Sequence, residues 1–296
     1  MTLSLDRGAA DLRRQYPEWL PWLTVIEQVL REATDNKWEA FVPELPQLQV
    51  SQVPLLAGAT LILEPAAVGR WSQRLLRAAY QSGAPKMATL DGAKQARLNT
   101  VDLFKSSLCQ NWQYLRETAV DLGVDADALQ AVAALVPVPF LQACNRQWQQ
   151  SVNESWTEGY CPVCGAWPAF AEVRGIERGR YLRCGRCGKQ WQAHALRCLF
   201  CNTDDHERLV SLVPQNKDSS TRTIEACKVC GGYLKSLATL QGSDALGVII
   251  NDLASVDLDI AAVDQGYRRP EGPGYLLNLT VGYSKGAGKR ILPWTR

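Results

Sequence analysis

The spacing of the cysteines constrains this chain more than any other feature. Eight of ten cysteines fall into four Cys-x-x-Cys pairs: Cys161/Cys164, Cys184/Cys187, Cys198/Cys201 and Cys227/Cys230. Such a turn points two sulfurs at one ion, and a glycine directly after it supplies the left-handed backbone that the turn needs. Gly165, Gly188 and Gly231 stand directly after three of the pairs. Asn202, another residue that tolerates left-handed geometry, follows Cys201. Cys109 and Cys144 stand alone in helical segments and read as small buried hydrophobes. With only two histidines, His194 and His206, a complete metal site has to be built mainly from thiolates.

The sequence between the pairs repeats. After Cys164, "PAFAEVRG" and "ERGRYLRC" read as a hairpin with Gly175 and Gly179 flanking its turn. After Cys201, "ERLVSLVP" and "TRTIEAC" read as a second one. The unit of knuckle, hairpin and knuckle therefore occurs twice, with 19 residues between the pairs in the first copy and 25 in the second. A hairpin returns the second pair to the first. This favours one set of Cys161, Cys164, Cys184 and Cys187 and another of Cys198, Cys201, Cys227 and Cys230, with interleaved pairing as the alternative. Tandem copies point to metal where one isolated pair would not. A thioredoxin-like pair would open a helix in a βαβ unit, whereas these pairs terminate hairpins. Four thiolates suit zinc and a rubredoxin-like iron alike, and zinc is the default reading of the spacing alone. Trp191 is expected to cover the first site, and His194 reads as a surface residue.

The cysteine-poor first half reads as helices. Trp19, Leu23, Ile26 and Leu30 share one helix face, as do Val68, Trp71, Leu75 and Ala78. Val101, Phe104, Leu108, Trp112, Leu115 and Ala119 suggest one helix of five turns. Asp125 is a candidate N-cap, and Pro137 and Pro139 kink the path or open a further helix. Near the C-terminus Leu253, Val256, Ile260, Val263 and Tyr267 form a stripe expected to pack on the second metal module. Asp252, Asp257, Asp259 and Asp264 fall mostly on its polar side and read as solvated. The expected organisation is α+β. An all-α helical domain spans 1–154, a first rubredoxin-like or zinc-ribbon-like module 155–196, and a second module 197–296 with a C-terminal helix and a loosely ordered basic tail.

Composition removes several function classes. A net charge of +2 over 296 residues implies no polyanion partner. Between Trp156 and Ser236 twelve Lys/Arg face eight Asp/Glu, a net of +4 without a basic cluster. The opening "MTLSLDRGAADLRRQYPEW" lacks the apolar core of a signal peptide. "VPLLAGATLILEPAAV" and "LQAVAALVPVPFLQA" are short and proline-broken, so no membrane span is expected. A cytoplasmic chain would keep its thiols reduced, which disfavours disulfides. No phosphate-binding glycine loop or Ser-His-Asp set emerges, so no catalytic residue is assigned. The residues alone favour an interaction or assembly factor, ahead of a zinc-ribbon nucleic-acid binder and a rubredoxin-like redox protein.

The string "CPVCGAWPAFAEVRG…RYLRCGRCGKQW…LRCLFCN…EACKVCGGYLKSL" resembles the formate dehydrogenase accessory protein family, FdhE, down to the Tyr233-Leu234-Lys235 element after the last pair. "RRQYPEWLPWL" and "DLASVDLDIAAVDQGYRRP" are also similar to family segments. The resemblance implies a cytoplasmic, non-catalytic factor that binds the catalytic subunit of a respiratory formate dehydrogenase before that subunit is exported. It also implies rubredoxin-like iron at two four-thiolate sites, which shifts the expected metal from zinc towards iron. By position the implied ligands are Cys161, Cys164, Cys184, Cys187, Cys198, Cys201, Cys227 and Cys230. Whether the chain forms a homodimer is left open.

Overall fold

The computed structural model describes residues 2–45, 53–153, 155–193, 196–213, 221–285 and 288–291, and the side chains of those from 8 to 282. His194 lies outside the described residues. The chain divides into two compact units. Residues 9–49, 56–147 and 276–296 form one, and residues 1–8, 50–55 and 148–275 form the other.

The first of these is mainly helical. It holds the part of helix α1 (Thr2–Gln15) from residue 9 on, followed by α2 (Leu20–Ala33), strand β1 (Thr60–Leu63), α3 (Pro65–Gln81), α4 (Gly92–Arg97), α5 (Thr100–Leu108), α6 (Trp112–Leu122), α7 (Ala126–Leu135) and α8 (Val138–Gln147). Leu23, Ile26 and Leu30 are buried on α2, and Val68, Trp71 and Leu75 on α3, as their periodicity requires. Trp38 stacks on Phe104, whose ring meets the edge of Phe140, at centroid distances of 6.2 and 5.9 Å. The buried Trp71 indole donates to the Val136 carbonyl at 2.8 Å and the Trp38 indole to Glu32 at 2.9 Å, so both of these buried indoles have their donor paired. Asp125 caps α7 by accepting from the Ala128 amide at 2.9 Å.

The expected five-turn helix is two helices. Gln110 adopts φ +55°, and the Asn111 side chain accepts from the Tyr114 amide at 3.1 Å, opening α6 afresh. After Pro137 the chain opens α8, with Pro139 in the first turn, where a missing N–H costs nothing. The stretch Ala126–Gln147 is long and apolar enough to cross a membrane by length and composition, but most of it is buried in the core of this unit.

The second unit is built on a six-stranded sheet. Its strands are β2 (Phe170–Arg174), β3 (Gly179–Arg183), β4 (Gln190–Trp191), β5 (Leu209–Leu212), β6 (Arg222–Cys227) and β7 (Tyr233–Thr239), in the order β4-β3-β2-β7-β6-β5. The sequence repeat is thus a repeat of structure. Each copy runs knuckle, strand, strand, knuckle, strand, all antiparallel within the copy. The first strand of copy one pairs in parallel with the last strand of copy two, Phe170 opposite Lys235 and Arg174 opposite Thr239. One face of the sheet receives α9 (Gly247–Leu253) and α10 (Val256–Asp264), with Leu258 and Ala262 packed on Ile224, Ala226 and Tyr233.

Two expectations about the C-terminal part are corrected. The stripe over residues 253–267 is not one buried face: Ile260 and Val263 are each 59% exposed, whereas Leu258 and Ala262 are fully buried. The helix breaks at Ser255, and the face turned inward is the one that carries Asp259 to the buried Lys235. The tail is also more regular than its glycine and basic content suggests. Strands β8 (Thr280–Lys285) and β9 (Gly288–Ile291) form a three-stranded sheet with β1, which runs parallel to β8. The signal is the alternation of Leu277, Leu279 and Val281, all buried.

Candidate metal centres

The four Cys-x-x-Cys knuckles share one backbone geometry. In each, the amide after the second cysteine donates to the carbonyl of the first: Gly165 to Cys161, Gly188 to Cys184, Asn202 to Cys198 and Gly231 to Cys227, all at 2.9 Å. The amide of each first cysteine donates to the carbonyl five residues on, at 2.8–2.9 Å. This double closure forces a positive φ at the residue after the pair, +68° at Gly165, +74° at Gly188, +59° at Asn202 and +70° at Gly231.

At Gly188 close packing adds to the backbone demand, since a Cβ there would lie 2.5 Å from Ala245 Cβ and from its carbonyl oxygen. Gly188→Ala is therefore expected to cost about 2 kcal/mol or more. Gly231→Ala, with nothing within 4 Å, should cost only about 1 kcal/mol of backbone strain. Thermal melts of the two variants separate these; equal losses would contradict the packing at Gly188.

The knuckles bring the eight cysteines together in two sets of four. The first is Cys161, Cys164, Cys184 and Cys187, and the second Cys198, Cys201, Cys227 and Cys230, with the sulfurs of each set within 4.8 Å of one another. Cys109 and Cys144 are buried in the helical unit, outside both sets. Sulfur–sulfur distances are 3.5 Å for Cys161–Cys187 and Cys164–Cys184, 3.7 Å for Cys198–Cys230 and 3.8 Å for Cys201–Cys227. A tetrahedron with metal–sulfur bonds of about 2.3 Å has edges of about 3.8 Å, so both sets can hold an ion.

Charge points the same way. Burial pushes the Cys161 and Cys187 thiols well up. Burial would also raise Cys184, but bonds from Cys161, Cys164 and Cys187 converge on its sulfur and hold it well below the usual thiol range. Burial works against ionising four sulfurs packed this closely, and a divalent cation between them is what lets them ionise together. The half-buried Lys189 lies within the electrostatic reach of Cys187 and Cys161, and its ammonium donates to the Gln149 carbonyl at 3.1 Å. Trp191 is buried, its indole donating to the Glu158 carbonyl at 3.1 Å.

The second set is more open. Cys198 and Cys227 are buried, but Cys201 and Cys230 are exposed. Burial raises the Cys198 and Cys230 thiols. At Cys227 it is outweighed by the Cys230 and Val229 amides, which lower the thiol. Beside this set a cavity of about 210 Å³ is bordered by Cys198, Cys227, Leu196, Phe200, Leu209 and Leu234. At its margin Arg180 and Glu225 form an ion pair at 2.6 Å.

Two ionic networks that the sequence reading missed support this frame. Arg183, 2% exposed, donates to Glu172 at 3.0 Å, to the Ser243 carbonyl at 2.8 Å and to the carbonyls of Gly188 and Asp244. It ties the second knuckle to the segment entering α9. Lys235, fully buried, donates to the Asp252 carboxylate at 2.6 Å and to Asp259 at 2.7 Å. Asp259 also accepts from the Tyr233 hydroxyl at 2.8 Å and from Arg269 at 3.2 Å. Asp252 and Asp259, expected to be solvated, are thus the counter-ions of the buried lysine. The signal was the Lys235 that directly follows two apolar strand residues.

Comparison with known proteins places this arrangement. Residues 196–277, which hold the whole second set and the Lys235 network, match the family described as "FdhE, C-terminal domain". A protein of Aquifex aeolicus named "Protein FdhE homolog" is 27% identical over 203 residues, 67% of this chain and 66% of its own length. "Protein FdhE" of Escherichia coli is 34% identical over 112 residues, 37% of this chain and 35% of its own. The chain therefore spans about two thirds of the first relative's length and about one third of the second's. The crystal structure of the FdhE protein from Pseudomonas aeruginosa has the same fold, with a TM-score of 0.54 at 21% identity over 92% of this chain and 93% of that one. The domain match and the curated relatives agree with the cysteine pattern: residues 196–277 match the FdhE C-terminal domain, and the chain as a whole is similar to FdhE proteins in sequence and fold.

Proposed function

We propose that this chain is a cytoplasmic accessory factor for the maturation of a respiratory formate dehydrogenase. It binds the catalytic subunit before export through the sheet unit and catalyses no reaction of its own. The observation that carries the reading is the pair of cysteine tetrads in one continuous sheet, in a chain whose residues 196–277 match the FdhE C-terminal domain. Two metal-clamped copies stiffen a broad surface without requiring a large apolar core, which suits holding a folded client. The eight cysteines Cys161, Cys164, Cys184, Cys187, Cys198, Cys201, Cys227 and Cys230 are the ligands, four to each ion. The ions are iron in mononuclear sites. Zinc, which fits the same sulfur geometry, is the competing occupant.

Affinity capture of the tagged chain from its own cells, grown anaerobically with formate dehydrogenase induced, tests the reading. Enrichment of the formate dehydrogenase catalytic subunit that survives nuclease and is lost in the Cys184→Ser/Cys187→Ser variant is the expected result. Nuclease-sensitive partners without formate dehydrogenase would replace this reading with that of a zinc-ribbon nucleic-acid binder. Metal analysis of the anaerobically purified protein separates iron from zinc.

A further inference from the structure

The two tetrads share sulfur geometry and knuckle design, yet they meet solvent differently. All four cysteines of the first are buried, and Cys161, Cys164, Cys184 and Cys187 are each 0% exposed. In the second, Cys201 and Cys230 stand at the surface, one from each knuckle. Val229, between Cys227 and Cys230, is 58% exposed, and Leu196, two residues before Cys198, is 77% exposed. The cavity of about 210 Å³ is lined by the other two cysteines, Cys198 and Cys227, and by the exposed Leu196. A ligand can therefore approach the second site without any part of the sheet opening. At the first it must wait for local unfolding of a fully packed region.

We propose that the second tetrad, Cys198, Cys201, Cys227 and Cys230, is an exchange site whose exposed Cys201 and Cys230 trade places with soluble thiolate ligands, while the first tetrad retains its ion. In the trade, the sulfur of an incoming thiolate bonds to the ion as the sulfur of Cys201 or Cys230 leaves. The departing thiolate then takes a proton from solvent. No electron moves, and the step reverses when the soluble thiol departs. The inference rests on the metal reading above and adds to it a division of labour: one site for permanent shape, one for traffic.

The test uses the full chain loaded anaerobically with two equivalents of zinc as the probe ion and challenged with a chromophoric chelator. One equivalent is expected to leave faster than the other by roughly tenfold or more, because only the slow one needs an opening event. Reduced glutathione should speed the fast phase and leave the slow one unchanged. Brief iodoacetamide treatment of the loaded protein, followed by peptide mass spectrometry, should modify Cys201 and Cys230 ahead of Cys184 and Cys187. The Cys201→Ser/Cys230→Ser variant should lose the fast phase and keep the slow equivalent; the alkylation pattern stands on its own if that variant misfolds. Release of both ions at one rate, a fast phase indifferent to glutathione, or equal alkylation of the two sets would overturn the proposal while leaving metal binding intact. A chain that takes up no ion at all would instead remove the metal reading on which it stands.

Discussion

Serine at both Cys184 and Cys187 is expected to remove one of two bound ions and to abolish cooperative folding of the sheet unit. The apparent binding free energy of a structural four-ligand zinc site is about 10–16 kcal/mol, as large as the whole net stability of an ordinary domain. At the first tetrad that energy has no substitute. The four sulfurs are fully buried, and β4, only two residues long, directly follows the second knuckle. Without the ion, the second knuckle keeps its own two backbone bonds, the short β3–β4 pairing and Arg183 at the Gly188 carbonyl, and loses its tie to the first knuckle's sulfurs. Metal analysis should find one equivalent instead of two, and limited proteolysis should cut between residues 155 and 193. Cys109→Ser and Cys144→Ser, both in the helical unit, should keep both ions. A double serine variant that still carried two ions would remove Cys184 and Cys187 from the ligand set.

The second large effect concerns Lys235. Lys235→Met keeps the length and apolar stem but withdraws the charge that faces Asp252 and Asp259. Breaking a buried pair by removing one partner typically costs about 3–5 kcal/mol, because the other charge stays behind. The loss should depend on pH in a defined direction. Burial alone would raise the Asp259 carboxyl, but Arg269 and Lys235 outweigh it and hold the group below the usual carboxylate range. A depressed carboxyl contributes stability that is present in full above its unfolded value, at roughly pH 4, and is lost as pH falls through the lower folded value. The deficit of Lys235→Met should thus be greatest near neutral pH and shrink in acid, where Asp259 takes up a proton. Urea unfolding of parent and variant at pH 7 and at about pH 4 reads the difference. A deficit that did not change with pH would mean that Lys235 acts by packing alone.

What could be read in the sequence was what is encoded locally. Each knuckle is closed by bonds spanning five residues or fewer, so Cys-x-x-Cys followed by glycine or asparagine already specified the turn and its left-handed residue. The helical periodicity on α2 and α3 was legible for the same reason. The break at Gln110 was not, because a positive φ at glutamine carries little signature beyond the Asn111 cap that follows it. Nor was the inward face of α10 legible. Hydrophobicity favoured Ile260 and Val263, but the partner that decided the orientation is Lys235, 24 residues before Asp259. The parallel pairing of β2 with β7 lies further apart still, and no local pattern announces it. The tetrads emerged from the sequence while the scaffold that joins them did not.

That parallel pairing has a consequence for how the chain can be divided. The region matched as a C-terminal domain begins at residue 196 and therefore contains β7 without β2. In the intact chain β2 covers one side of β7 along its register from Lys235 to Thr239. A fragment cut at that boundary would leave a row of unpaired backbone donors and acceptors along a largely apolar strand, a template for self-association. The stretch matched as a domain is thus not the stretch that can safely be expressed alone. The smallest piece able to keep its backbone groups satisfied must reach back through Phe170 to include the first copy.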